Sequence, residues 1–138
     1  MRLLLDTNIL SETMRPRPDA HVIAFLNRGL PSYLSALTLY ELQHGAELLK
    51  ESARRRKIIA WVDSIRTRYE THILPMTADI AETAGILRAK ASRKGRTLHI
   101  EDAIIAATAL EHKLTLVTRN SSDFEVTDVA QINPWEER

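Results

Sequence analysis

The sequence predicts an α/β fold, an α/β/α sandwich in which a central parallel sheet is covered by helices on both faces. Three observations lead there. Short apolar runs alternate along the chain with longer segments whose apolar residues recur at helical spacing. The clearest run, Leu3-Leu4-Leu5, is apolar at consecutive positions, as a strand buried on both faces of a parallel sheet requires. A chain of 138 residues with a hydrophobic fraction of 44% has material for one core, so residues 1–138 are expected to form a single domain.

Taken in order, Leu3 to Leu5 is read as a strand that stops at Asp6. A secretory signal would need a longer apolar segment and a small-residue cleavage site. Pro16 and Pro18 break the chain before a short helix from Asp19 to Asn27. Gly29 and Pro31 punctuate, and Tyr33 to Ala36 reads as a second strand. From Thr38 the spacing becomes helical, with Leu39, Leu42, Ala46 and Leu49 on one face; Ile58, Val62, Ile65 and Tyr69 mark the next helix. Ile73-Leu74-Pro75-Met76 resembles a short strand, its proline favouring an end position. Thr77 is placed to cap a helix whose buried stripe is Ile80, Ala84, Leu87 and Ala91, and Gly95 ends it. A further helix begins near Ile100 with Ala103, Ala106, Ala107 and Leu110 on one side. Thr115 to Thr118 and Val129 to Ile132 read as the last strands, before an Asn133-Pro134-Trp135 tail.

The absence of cysteine excludes disulfides, thiolate metal sites and cysteine nucleophiles together, and suits the cytoplasm. No apolar stretch approaches the ~20 residues of a membrane-spanning helix. The net charge of +1 hides two basic runs, Arg54 to Lys57 and Arg88, Lys90, Arg93, Lys94, Arg96. On charge alone these read as solvated helix faces. If the acids gather in one pocket, the same runs become a positive rim suited to a polyanion.

The acids do fall in one place. In open α/β sheets the site lies at the carboxyl ends of the strands. Asp6 stands there after the first strand, and Glu41 is read into the first turn of the helix after the second. Asp102 sits in the first turn of the alanine-rich helix, and Asp123 follows the strand ending at Thr118. Each has a bland alternative. Glu41 can complete a capping box with Thr38, Asp102 can serve the helix dipole, and Asp123 can hold a turn. Asp6 resists such an account, because an unpartnered acid beside a buried strand is costly. Four coincidences at one edge are much harder to accept than any one.

Crowded carboxylates raise one another's pKa, and a divalent cation removes the conflict. An all-oxygen set selects Mg²⁺ or Mn²⁺ over zinc. That chemistry leads to in-line hydrolysis of a phosphodiester by metal-activated water, with the positive rim as a track for nucleic acid. The histidines, His21, His44, His72, His99 and His112, show no close ligand spacing. Of these, His99 is near enough to Asp102 to touch substrate. Trp61 and Trp135 are read as packing residues, and Glu101, rotated about 100° from Asp102 on a helix, as a non-ligand.

These residues resemble the PIN-domain family, Rossmann-like in fold, and in particular the VapC-type and FitB-like toxins of bacterial toxin–antitoxin pairs. Leu4-Leu5-Asp6-Thr7-Asn8 matches the family's first motif, and Thr38-Leu39-Tyr40-Glu41-Leu42-Gln43-His44-Gly45 resembles its second. Asp102-Ala103-Ile104-Ile105-Ala106-Ala107-Thr108-Ala109 is similar to the third. Thr118-Arg119-Asn120-Ser121-Ser122-Asp123-Phe124 with Asn133-Pro134-Trp135 resembles the characteristic end. The resemblance implies a cytoplasmic endoribonuclease dependent on Mg²⁺ or Mn²⁺. It implies Asp6, Glu41, Asp102 and Asp123 as catalytic metal ligands, with Thr7 and Asn8 positioning Asp6. Thr118 and Asn120 would lend hydrogen bonds. It further implies a homodimer, a cognate antitoxin whose tail enters the acidic pocket, and operator DNA bound through that antitoxin.

Two other classes compete. An aspartyl phosphatase of the haloacid dehalogenase type also places Asp after its first strand but wants a second Asp two residues on, where this chain has Asn8. A non-catalytic nucleic-acid or partner-binding module, such as a repressor subunit, needs no acidic cluster. A degenerate PIN domain that binds without cutting is the third possibility.

Overall fold

The computed structural model describes residues 1–136. Its centre is a five-stranded sheet in the order β3-β2-β1-β4-β5, formed by β1 (Leu3–Leu5), β2 (Ser32–Ser35), β3 (Ile73–Leu74), β4 (Thr115–Val117) and β5 (Gln131–Ile132). Every pairing is parallel; Leu3 faces Ser32 on one side and Thr115 on the other. The helices are α1 (Thr7–Thr13), α2 (Ala20–Leu26), α3 (Ala36–Glu47), α4 (Ala53–Arg68), α5 (Ala78–Arg93), α6 (Ile100–His112) and α7 (Ser121–Phe124).

Strand alternation divides the core. Leu3 and Leu5 point into one cluster with Leu34 of β2 and with Ile9, Leu10, Phe25, Leu42, Val62 and Ile65, contributed by α1 to α4. Leu4 points the other way, into a cluster with Ile80, Ala84, Leu87, Ala103 and Ala107 from α5 and α6. The chain runs outward from β1 through β2 to β3, then crosses back to β4. Because parallel crossovers are right-handed, reversing direction moves the helices to the opposite face. The reversal leaves β1 between β2 and β4, at the switch point where open sheets carry their sites.

Several boundaries depart from the sequence reading. Ala36 opens α3 rather than closing β2, and Ser35 is the N-cap, its hydroxyl accepting from Leu37 N–H at 3.1 Å. Thr38 is therefore inside the helix and fully buried, so the Thr38–Glu41 capping box does not exist and Glu41 lies in the second turn. The strand expected from Val129 is only Gln131–Ile132, following a left-handed backbone at Asp128. The strand read from Ile73 to Met76 is likewise cut to Ile73–Leu74. Leu110, read onto one side of α6 with Ala103, Ala106 and Ala107, is 39% exposed, while every residue from Ala103 to Ala109 is buried. Covered by the sheet on one side and α5 on another, α6 has no single apolar stripe, which defeats a periodicity argument.

The cap at Thr77 stands as expected, and Asp19, read as the first residue of a short helix, is the N-cap of α2. Gly95 closes α5 with φ +69°, its N–H reaching Ser92 O while Arg96 N–H reaches Ala91 O, both at 2.9 Å. That left-handed turn is where glycine costs least. Helix α1 has no counterpart in the sequence reading. It starts on Asp6 and ends near Glu12, a buried carboxylate that accepts from Asp19 N–H at 2.8 Å and so holds the turn into α2.

Candidate active site

Asp6 is where the first strand becomes the first helix. Its backbone is extended, and its side chain caps α1: Oδ1 accepts from Thr7 N–H at 2.8 Å. Oδ2 accepts from the Thr118 hydroxyl at 2.8 Å and from Asn8 Nδ2 at 3.4 Å. The residue is only 8% exposed. Burial raises its pKa, those three hydrogen bonds pull it down, and the charge of Asp123 raises it further.

Glu41 comes to the same place on α3. The Thr7 hydroxyl donates to Oε1 at 3.0 Å and sits 3.5 Å from the Thr38 hydroxyl. One threonine thus fixes two acids, Asp6 through its backbone and Glu41 through its side chain. Glu41 also has a raised pKa, from burial first, with Thr7 opposing and with Asp6, Glu101 and Asp102 adding repulsion. Asp102, in the first turn of α6, is pushed from 3.8 to about 6; burial leads, followed by the charges of Asp6 and Asp123, while His99 lowers it and Glu101 raises it. Asp123 is exposed on α7 and enters the group through its field at Asp6 and Asp102.

The structure therefore brings Asp6, Glu41 and Asp102 together, and Asp123 within electrostatic reach of Asp6 and Asp102. The expected supports are there too, with divided roles. Asn8 ties the site to the loop after β4: its Oδ1 accepts from Arg119 N–H at 3.2 Å and its Nδ2 lies 3.5 Å from the Thr118 hydroxyl. Asn120 acts through its backbone, donating to Thr118 Oγ1 at 3.1 Å. The tail is bound to this loop, Asn133 Nδ2 donating to Arg119 O at 3.1 Å and the Arg119 guanidinium lying 5.2 Å from the Trp135 ring centre.

Glu101, read from the sequence as a non-ligand, stands beside the cluster. It lines an open depression of about 470 Å³ together with Tyr40, Glu41, His44, Gly45, His99 and Asp102, and its charge is felt at both Glu41 and Asp102. Helical rotation separates Glu101 from Asp102 as directions, but it does not remove the effect of one charge on the other. The first basic run is split. Arg55 is tied to Glu47 and Glu51, and Arg56 to Glu51 at 3.2 Å. Arg54 and Lys57 instead line a groove that also includes Thr7 and Glu41.

Among the described residues no three His, Asp or Glu side chains already surround one point closely enough to hold an ion. The donor set nevertheless fits a hard divalent cation. It is all oxygen, and neighbouring carboxylate charge helps raise the pKa of Asp6, Glu41 and Asp102, a conflict that positive charge relieves. Mg²⁺ keeps several waters and needs only one or two direct carboxylates.

Comparison with known proteins names the family. The PIN-domain model matches residues 3–130. The chain belongs to the PIN-domain family. This PIN domain is 37% identical over 136 residues to toxin FitB of Neisseria gonorrhoeae, covering 96% of this chain and 98% of that one. It is 32% identical over 137 residues to VapC ribonuclease Y4jK of Sinorhizobium fredii, covering 97% and 98%. Among solved structures it resembles FitAB bound to a DNA fragment, with a TM-score of 0.91, 35% identity, and 99% and 97% of the two chains covered.

Proposed function

We propose that this protein is an endoribonuclease, the toxin of a toxin–antitoxin pair, which hydrolyses RNA phosphodiesters at the cluster of Asp6, Glu41, Asp102 and Asp123. The observation that carries the reading is the convergence of Asp6, Glu41 and Asp102, partly withdrawn from water and within reach of the Asp123 charge, at the switch point of the sheet. Such a cluster carries an electrostatic cost that a bound cation would relieve. Kinship to a named VapC ribonuclease supports RNA as the polymer.

Asp6, Glu41, Asp102 and Asp123 would hold the divalent cation, Mg²⁺ or Mn²⁺. When bound, it supplies charge stabilisation to the phosphoryl oxygens and lowers the pKa of an attacking water. The protein's part is orientation. Thr7, Asn8 and Thr118 hold both oxygens of Asp6, and Thr7 holds one oxygen of Glu41. Donors that fix ligand carboxylates in this way set both geometry and affinity. Asn8 and Asn133 anchor the loop that carries Asp123.

By the same kinship the partners are a cognate antitoxin and a second copy of the chain, with operator DNA reached through the antitoxin; the relative solved as FitAB was bound to DNA. No described helix is long and apolar enough to cross a membrane, and the assigned place of action is the cytoplasm. Residues 1–138 act as a single domain in this reading.

The test incubates wild type and Asp6→Asn, free of antitoxin, with total RNA and with single-stranded DNA, each with Mg²⁺, Mn²⁺ or EDTA. Metal-dependent RNA cutting lost in the variant is expected. No cutting of either polymer under any metal would overturn the reading in favour of a binding module.

A further inference from the structure

The rim of the acidic depression carries an exposed aromatic pair that none of the catalytic argument uses. Tyr40 precedes Glu41 on α3 and is 60% exposed, unlike the partly buried Trp61 and Trp135, which pack against the core. Its ring lies parallel to that of His44, one helical turn on, with centroids 5.7 Å apart and planes inclined by only 6°. Both rings line the same depression as Glu41, His99, Glu101 and Asp102. Burying a tyrosine ring against apolar neighbours gains far more than leaving it in water beside a histidine. A pair four residues apart on a helix contributes only a few tenths of a kcal/mol to helix stability.

Resting on the ribonuclease reading, we propose that Tyr40, held flat by His44, is a stacking platform for an unpaired base of the RNA beside the scissile phosphate. The substrate class is then single-stranded RNA, or a loop whose base can be splayed out. Three features favour a base over other occupants. The exposed π-face adjoins the acids that would act on the phosphate. A flat ring presents the same surface to every base, so it positions without dictating sequence. Unpaired RNA is recognised mainly by stacking on aromatic side chains, because the paired helix hides its base faces. Tyr40 is a positioning residue for binding, and its loss would act on KM rather than on kcat.

The experiment is a double-mutant cycle between protein and substrate. Wild type, Tyr40→Phe and Tyr40→Leu are assayed on a cleavable single-stranded oligoribonucleotide and on versions with an abasic site walked through the positions flanking the cut. Tyr40→Leu is expected to raise KM about tenfold with kcat unchanged, and Tyr40→Phe to match wild type. One abasic position should cost wild type the same factor and cost Tyr40→Leu nothing more. Equal KM for wild type and Tyr40→Leu, or losses that simply add, would overturn the platform and assign the pair to a protein partner. Fluorescence anisotropy of the same oligonucleotides on Asp6→Asn and on Asp6→Asn with Tyr40→Leu, with Mg²⁺ present, reads the platform without cleavage. If wild type cuts no RNA, the nuclease reading fails on its own. Anisotropy still decides the platform, which stands if the abasic penalty needs Tyr40 and falls if it does not.

Discussion

The hydroxyl of Thr118 donates to Oδ2 of Asp6 at 2.8 Å, joining the ends of β4 and β1 across 112 residues of sequence. Both residues are buried, so water cannot substitute for the donor. Thr118→Val removes the strongest hydrogen bond holding down the Asp6 pKa. The carboxyl then ionises at higher pH, and the acidic limb of the kcat/KM profile is expected to move upward. Loss of a hydrogen bond to a buried acid costs about 1–3 kcal/mol, measurable as a lower denaturant midpoint. Thr118→Ser keeps the hydroxyl and should restore both readouts.

Thr7 serves two acids with different groups, and substitution can separate them. Thr7→Val keeps the backbone N–H that reaches Asp6 but deletes the hydroxyl that reaches Glu41. Partners of this kind are worth about 10- to 100-fold in metal affinity or activity. The expected loss falls in the Mg²⁺ concentration needed for half-maximal cutting, while Thr7→Ser behaves as wild type. An unchanged metal requirement in Thr7→Val would show that Glu41 orientation does not matter.

Asp102, raised from 3.8 to about 6, makes stability depend on pH with a definite sign. Between those values the folded protein binds more protons than the unfolded chain, so stability falls as pH rises through the window. With EDTA present, Tm should decline from about pH 4 to about pH 6 and then level off. Added Mg²⁺ should raise Tm most above that window, where the carboxylate is charged. A Tm that rises across the window in EDTA would contradict the site's electrostatics.

The same repulsion predicts that disarming the site strengthens the fold. Asp102→Asn removes one charge from the cluster. Without metal at pH 7.5, roughly 1 kcal/mol of relief would raise Tm by about 4 °C for a domain of this size, with cutting abolished and the Mg²⁺-dependent rise in Tm lost.

Away from the site, Glu12 supports the turn between α1 and α2 through Asp19 N–H at 2.8 Å and, more weakly, Arg15 at 3.5 Å. Glu12→Ala leaves that N–H without its partner and should cost about 1–3 kcal/mol in equilibrium unfolding. Glu12→Gln keeps an acceptor oxygen and should lose much less.

The sheet, the parallel architecture and the candidate acids were legible because each is local. A run such as Leu3-Leu4-Leu5 specifies burial on both faces, and an acid placed after a strand marks the sheet edge. Asp6, Glu41, Asp102 and Asp123 could be chosen by position alone, since strand ends in a parallel sheet share one side. Helix α1 was illegible because its start is a cap made by a site residue, Asp6, rather than a periodic pattern. The burial of α6 on nearly all sides was equally hidden, because small residues give no stripe when two layers cover them.

Sequence by itself determined which residue types stand at which strand ends, and with them the all-oxygen donor set of the candidate site. Only the tertiary structure decided that Thr118 rather than Asn120 offers its side chain to Asp6, that Thr7 is shared with Glu41, and that Tyr40 is left in solvent beside the acids. The physical reason is range. Periodicity and capping act within a few residues, whereas hydrogen bonds and charge repulsion at the site join groups that only the packing of β1, α3, α6 and the loop after β4 brings together.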